Sequence, residues 1–231
     1  MNLLLVAHGT RKQRGVTMIG DLAQRVSAAL DSPVHVAFVD VLGPSPSEVL
    51  RDLAGPAVVV PAFLSRGYHV NVDIPRFVAA SEHPDAAVTS SLGPSPQLAR
   101  VLAHQLVEFG WRRDDSVILA AAGTSDTAAQ RDLHMMASML SAVTGSRVEL
   151  AFAATGEPAV ANAVTALRRQ GARRVAVASY LLSDGLFADR LRASGADLVT
   201  EPLAAHPGLV RLIASRFRRG RLEFSARAGV S

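Results

Sequence analysis

The chain of 231 residues contains no cysteine. That excludes disulfides and thiolate metal sites, so any metal must be held by histidine or carboxylate, which points to hard or borderline divalent ions. Lysine is nearly missing as well: of 24 basic residues only Lys12 is a lysine. Aromatic residues make up only 5%. The arginines are scattered apart from Arg216, Arg218, Arg219 and Arg221 near the C-terminus, which argues against a nucleic-acid face. No apolar run approaches the roughly 18 residues that span a bilayer, and no basic segment precedes the first one, so a cytoplasmic protein without a membrane partner is expected. The first strand-to-helix turn, "AHGTRKQRG", lacks the G-x-G-x-x-G spacing, and no Walker-type lysine occurs, so no nucleotide is expected.

What is present is 49% hydrophobic residues, a net charge of +4 and a pI near 10.5. The content suffices for two cores, and the charge suits a small polycarboxylate. The second half also repeats the first. "LLLVAHGT" (3–10) matches "VILAAAGT" (117–124), and "VHVAFVDVLGPSP" (34–46) matches "VELAFAATGEPAV" (148–160). "VVVPAFLSRGYH" (58–69) then matches "AVASYLLSDGLF" (176–187), and "SLGPSPQLARVL" (91–102) matches "PLAAHPGLVRLI" (202–213). Amphipathic stretches lie between these buried-strand patterns: 18–30, 45–53, 97–109, 128–143, 158–170 and 209–217. Strands alternating with such helices predict an α/β fold of two tandem domains, each a mostly parallel sheet with helices on both faces. The charged stretch "GWRRDD" (110–115) puts the boundary between domains 1–112 and 113–231, and residues after Arg218 read as a loose tail. Ser45-Pro46-Ser47-Glu48 reads as a capping box, and Ser95-Pro96 opens the next helix in the same way.

The repeat separates what the fold needs from what only one half needs. Gly9 and Thr10 recur as Gly123 and Thr124, whereas His8 becomes Ala122, Asp40 becomes Ala154 and His69 becomes Phe187. The three lost residues all sit at or just past strand ends, where open parallel sheets bind ligands. Two imidazoles and a carboxylate would make a facial set for a borderline divalent ion; the same groups could instead accept protons. For Asp40 the alternative is a turn-forming residue. The other histidines, His35, His83, His104, His134 and His206, read as solvated or locally bonded.

"LLLVAHGT", "FVDVLGPSPSEVL" and "FLSRGYHVNVDIP" resemble the sirohydrochlorin and cobalt chelatases, class II enzymes that insert a divalent metal into a tetrapyrrole without nucleotide. The resemblance covers both halves and is that of the long, two-domain bacterial form. It implies metal-binding and catalytic roles for His8, His69 and Asp40, the last standing where many members have glutamate. It further implies a single active site formed by the first half, facing a cleft whose other wall is the degenerate second repeat. The substrate would be sirohydrochlorin with Fe2+, for sirohaem formation, or alternatively Co2+, for cobalamin. Gly9 and Thr10 would offer backbone N–H groups to a substrate carboxylate. Tyr68 would stack on the ring or else serve packing, and Arg190 and Arg192 would bind substrate carboxylates. Asp73 would either orient His69 or cap a helix. A monomer is expected, the fused repeat standing in for a homodimer partner.

Two other functions compete. The histidine phosphatases also end their first strand in His-Gly, but they place arginine where this chain has Ala7. A metal carrier could use the same histidine pair without accelerating insertion.

Overall fold

The computed structural model describes residues 1–228. They form two compact units, one comprising Met1–Leu92 and the segment from Leu209 onward, the other Gly93–Gly208.

In the first unit, β1 (Asn2–Ala7), β2 (Val34–Phe38), β3 (Ala57–Pro61) and β4 (Ala86–Val88) form a four-stranded sheet in the order β2-β1-β3-β4, parallel throughout. Leu3 pairs with Val34 on one side and Val58 on the other. Central β1 is buried on both faces, which is why it reads as an unbroken apolar run. Leu4, Val6 and Val59 meet α2 (Pro46–Asp52) through Leu50 and α3 (Ile74–Ala80) through Ile74. α1 is Gln13–Leu30. The capping box is present: the Glu48 N–H donates to Ser45 Oγ, and the Ser45 N–H donates to Glu48 Oε2. This pair holds the Glu48 carboxyl below its ordinary range, chiefly through its bond to the Ser45 hydroxyl.

The second unit repeats the plan. β5 (Ser116–Gly123), β6 (Val148–Thr155), β7 (Val175–Tyr180) and β8 (Leu198–Val199) are parallel in the order β6-β5-β7-β8. α6 (Val160–Arg169) and α7 (Leu186–Arg192) pack against one face through Val164, Leu167, Ala188 and Leu191. α4 (Pro96–Glu108) lies beside α5 (Thr127–Thr144). Its Ser95 cap accepts from the Leu98 N–H.

The spatial division differs from the sequential one near residue 112. α4 follows β4 but joins the second unit, while the last helix, α8 (Pro207–Ala228), follows β8 but packs in the first from Leu209 on. There Gly220 lies so close to β3 that a Cβ would come within 2.6 Å of Val58 Cγ1, and Arg218 donates to the carbonyl of Ala29 at the end of α1. Amphipathic periodicity shows that a helix buries one face. It does not say which of two equivalent sheets receives it. The expected loose tail after Arg218 is corrected as far as Ala228, since the segment continues α8; residues 229–231 lie outside the described residues.

Candidate active site

β1 pairs with both β2 and β3, so its carboxyl end lies between the ends of two neighbours, the usual ligand position in parallel sheets. His8 is the first residue past that end, and its imidazole is exposed. Next comes Gly9 at φ 96°, where a Cβ would run into the carbonyl oxygen of Asp40. Both the positive φ and the close approach demand glycine. Gly123, at φ 101°, meets the carbonyl of Thr155 in the same way, so this glycine serves the fold in both units. Thr10 Oγ1 accepts from the Lys12 N–H, as Thr124 Oγ1 accepts from the Asp126 N–H. That shared turn explains the threonine.

Beyond β3 the chain reaches a π-helical turn, His69–Asp73, closed by the Ile74 N–H donating to the His69 carbonyl. Wide turns of this kind re-aim side chains and recur at functional sites. Here the turn brings Asp73 Oδ2 within 2.6 Å of His69 Nδ1. Asp73 makes no helix-cap bond, which decides in favour of the orienting role. Both groups are partly buried, with side-chain exposures of 33% for His69 and 17% for Asp73. His8 and His69 lie edge to face, ring centroids 4.8 Å apart and planes at 85°. Phe63 lines His69 with its centroid at 5.9 Å, and exposed Tyr68 stands at 6.3 Å.

The ring nitrogens can be assigned from these partners. His8 Nδ1 lies 3.1 Å from the carbonyl oxygen of Gly9, and His69 Nδ1 faces a carboxylate. Both oxygens accept, so each Nδ1 carries the proton and each Nε2 keeps its lone pair. Two imidazoles are thus prepared to bind a metal or take a proton through Nε2.

Asp40 does not complete a three-ligand set. Its Oδ1 accepts from the Val41 N–H at 2.7 Å, with Val41 at φ 69°, a conformation unusual for a β-branched residue. Its backbone carbonyl forms the wall behind Gly9. The bond from the Val41 N–H is the contact that a turn-forming residue makes, and it engages Oδ1. Arg192 pairs with Asp184 at 3.0 Å, Glu201 at 3.0 Å and Asp189 at 3.4 Å. The bond to Asp184, foremost, holds its pKa above the ordinary range. Arg190 donates to the Ala153 carbonyl and lies 5.9 Å over the Phe187 ring.

Two features escaped the sequence reading. His104 and His206, read as ordinary, form one cluster with Glu108 in the second unit. The other feature is a substitution at a helix start that the repeat itself signals. Asp126 caps α5 by accepting from the Ala128 and Ala129 N–H groups, whereas its counterpart before α1 is Lys12, which supplies no side-chain cap.

The chain is similar to known proteins in sequence and in fold. Sirohydrochlorin ferrochelatase of Priestia megaterium is 23% identical over 236 residues, covering 94% of this chain and 89% of that protein. Sirohydrochlorin cobaltochelatase of Methanothermobacter thermautotrophicus is 29% identical over 129 residues, covering 46% of this chain and 90% of that protein. The solved structure of SirB from Bacillus subtilis with Fe3+ shares the fold at a TM-score of 0.78 and 20% identity, covering 95% of this chain and 96% of that one. The CbiX family model matches residues 2–109 and again 116–220. With both repeats matched, each as a parallel four-stranded sheet, the chain belongs to the CbiX family.

Proposed function

We propose that the chain is a sirohydrochlorin chelatase, inserting a divalent metal, Fe2+ as the favoured substrate, into the tetrapyrrole without nucleotide. The observation that carries the reading is the pair His8 and His69, each with Nδ1 committed to an oxygen acceptor and Nε2 left with its lone pair, in rings 4.8 Å apart. Iron is favoured because the relative matched along 94% of this chain is named a ferrochelatase; cobalt is the second reading, on the half-length match.

Insertion requires the ion to exchange its ligands for ring nitrogens while two pyrrole protons leave. A pair of imidazoles suits that exchange better than a closed ligand set, because coordination positions stay open for incoming nitrogens. Once the ion moves on, the Nε2 lone pairs of His8 and His69 are the bases nearest the vacated position. Asp73 is a positioning residue: its carboxylate holds the His69 ring and supports a positive imidazolium after proton uptake.

Substrate carboxylates need cationic partners. Lys12, standing where the second repeat has an acidic cap, makes no side-chain cap bond and adds positive charge at the start of α1. Arg11 lies on the same loop. Tyr68, exposed beside His69, offers a face to the macrocycle.

The test is anaerobic spectroscopy of sirohydrochlorin with Fe2+ or Co2+. His8→Ala or His69→Ala should slow protein-dependent insertion by at least about a hundredfold, the scale for a positioned base or ligand. Near wild-type turnover in either variant overturns the assignment. Metal binding without accelerated insertion by the wild type makes the chain a carrier.

A further inference from the structure

The second unit contains a cluster that the reaction does not use. His104 and Glu108 stand one turn apart on α4, and His206 is the residue before α8. His206 Nε2 lies 3.0 Å from His104 Nδ1, His104 Nδ1 lies 3.1 Å from Glu108 Oε2, and His206 Nε2 lies 3.9 Å from the same oxygen. Among the described residues this is the one group of three histidine or carboxylate donors gathered closely enough to share an ion. Ligand atoms bonded at about 2.0–2.2 Å to a single first-row cation have edges of this length. His206 is 8% exposed, while His104 and Glu108 are 61% and 52% exposed. One ligand is therefore fixed in the interior and two face water, an open path for the ion.

The repeat again acts as a control. The counterpart of His206 is Ser95, whose hydroxyl caps α4 by accepting from the Leu98 N–H. His206 does the equivalent work with Nδ1, accepting from the Gly208 N–H at 2.9 Å. A serine suffices for capping, so a buried imidazole whose other nitrogen meets a histidine and a glutamate exceeds what the helix start needs.

We propose that His104 Nδ1, Glu108 Oε2 and His206 Nε2 form a second binding site for a borderline divalent cation, separate from the His8–His69 pair. Without the ion, His206 Nε2–H donates to His104 Nδ1, because His206 Nδ1 is occupied as an acceptor; the His104 Nδ1 lone pair then faces the Glu108 carboxylate, two acceptors whose repulsion a cation between them relieves. On binding, the ion takes the place of that proton, and His206 passes to its other neutral tautomer, with the proton on Nδ1. The cap bond from Gly208 is given up in exchange for an imidazole–metal bond. The bound ion ties α4 to the residue that starts α8.

The probe is Co2+, whose visible absorption reports ligand number and type. In a His8→Ala/His69→Ala chain, about one equivalent should still bind, with a spectrum of mixed nitrogen and oxygen ligands, and should raise the unfolding temperature. Adding Glu108→Gln or His104→Asn should weaken this binding at least about tenfold, the lower end for disrupting a metal site. His206→Ser, which restores the residue found at the repeat position, keeps a cap and should abolish the Co2+-dependent stabilisation in a folded chain. Absence of bound Co2+ in the His8→Ala/His69→Ala chain, or the same affinity and spectrum after His104→Asn, overturns the proposal.

Discussion

An imidazole serves a metal only if one nitrogen keeps its lone pair and the ring is held in place, and at this site a single carboxylate does both for His69. The 2.6 Å contact from Asp73 fixes the proton on Nδ1. Asp73→Ala should therefore reduce kcat/KM for the metal substrate by about 10–100-fold, the usual cost of losing such a partner. Asp73→Asn, whose amide oxygen still accepts from Nδ1–H, should recover part of that loss. Unfolding curves of both variants separate this from a folding defect. Equal rates for Asp73→Ala and wild type would return Asp73 to a structural role. The sequence showed His8 and His69 through their replacement in the repeat, but it left two readings open for Asp73 and for Asp40. Which way a carboxylate turns depends on backbone dihedrals. The π-helical turn sends Asp73 to His69, while the φ of 69° at Val41 accompanies an Asp40 side chain bonded to its own neighbour.

At the level of elements, the paired helices α1 and α5 start on residues of opposite charge. α5 begins with Asp126, which accepts two backbone N–H bonds; α1 begins with Lys12, which accepts none. A lysine at the start of a helix opposes the macrodipole and omits the cap, so it lowers stability. Lys12→Asp installs the cap of the second repeat and should stabilise the protein by about 1 kcal/mol. The same change puts negative charge where substrate carboxylates are proposed to bind, so KM for the tetrapyrrole should rise. Chemical denaturation and steady-state kinetics on one preparation test both effects. A stabilised variant with unchanged KM would remove Lys12 and the α1 terminus from the binding site.

For the whole molecule, the notable property is that each sheet is completed by a helix from the other repeat. α4 buries Leu98, Val101, Leu102 and Leu106 in the second unit, whereas α8 buries Leu209, Ile213 and Phe217 in the first. A large apolar side chain contributes about 1.5–3 kcal/mol when fully buried, so neither helix can be dispensed with. A fragment of residues 1–112 keeps α4 but loses α8. Two copies can repair this by exchanging α4, each helix covering the sheet of the other chain. Light scattering should find the fragment as a dimer whose folding depends on concentration. A folded monomer of native-like stability would show that α4 can fold back onto its own sheet.

By itself the sequence determined what is local or periodic: strands buried on both faces, capping serines ahead of α2 and α4, the duplication, and the two histidines that only one repeat carries. Each of these follows from the order of residue types along a few turns or strands, which is where burial and backbone hydrogen bonding are encoded. The tertiary structure decided what depends on separate segments meeting: the setting of His8 beside His69, the exchange of α4 and α8, and the gathering of His104, Glu108 and His206 from positions about a hundred residues apart. Two nearly identical sheets present nearly identical apolar faces. Only packing in three dimensions selects which helix each receives, and with it which polar side chains are brought together.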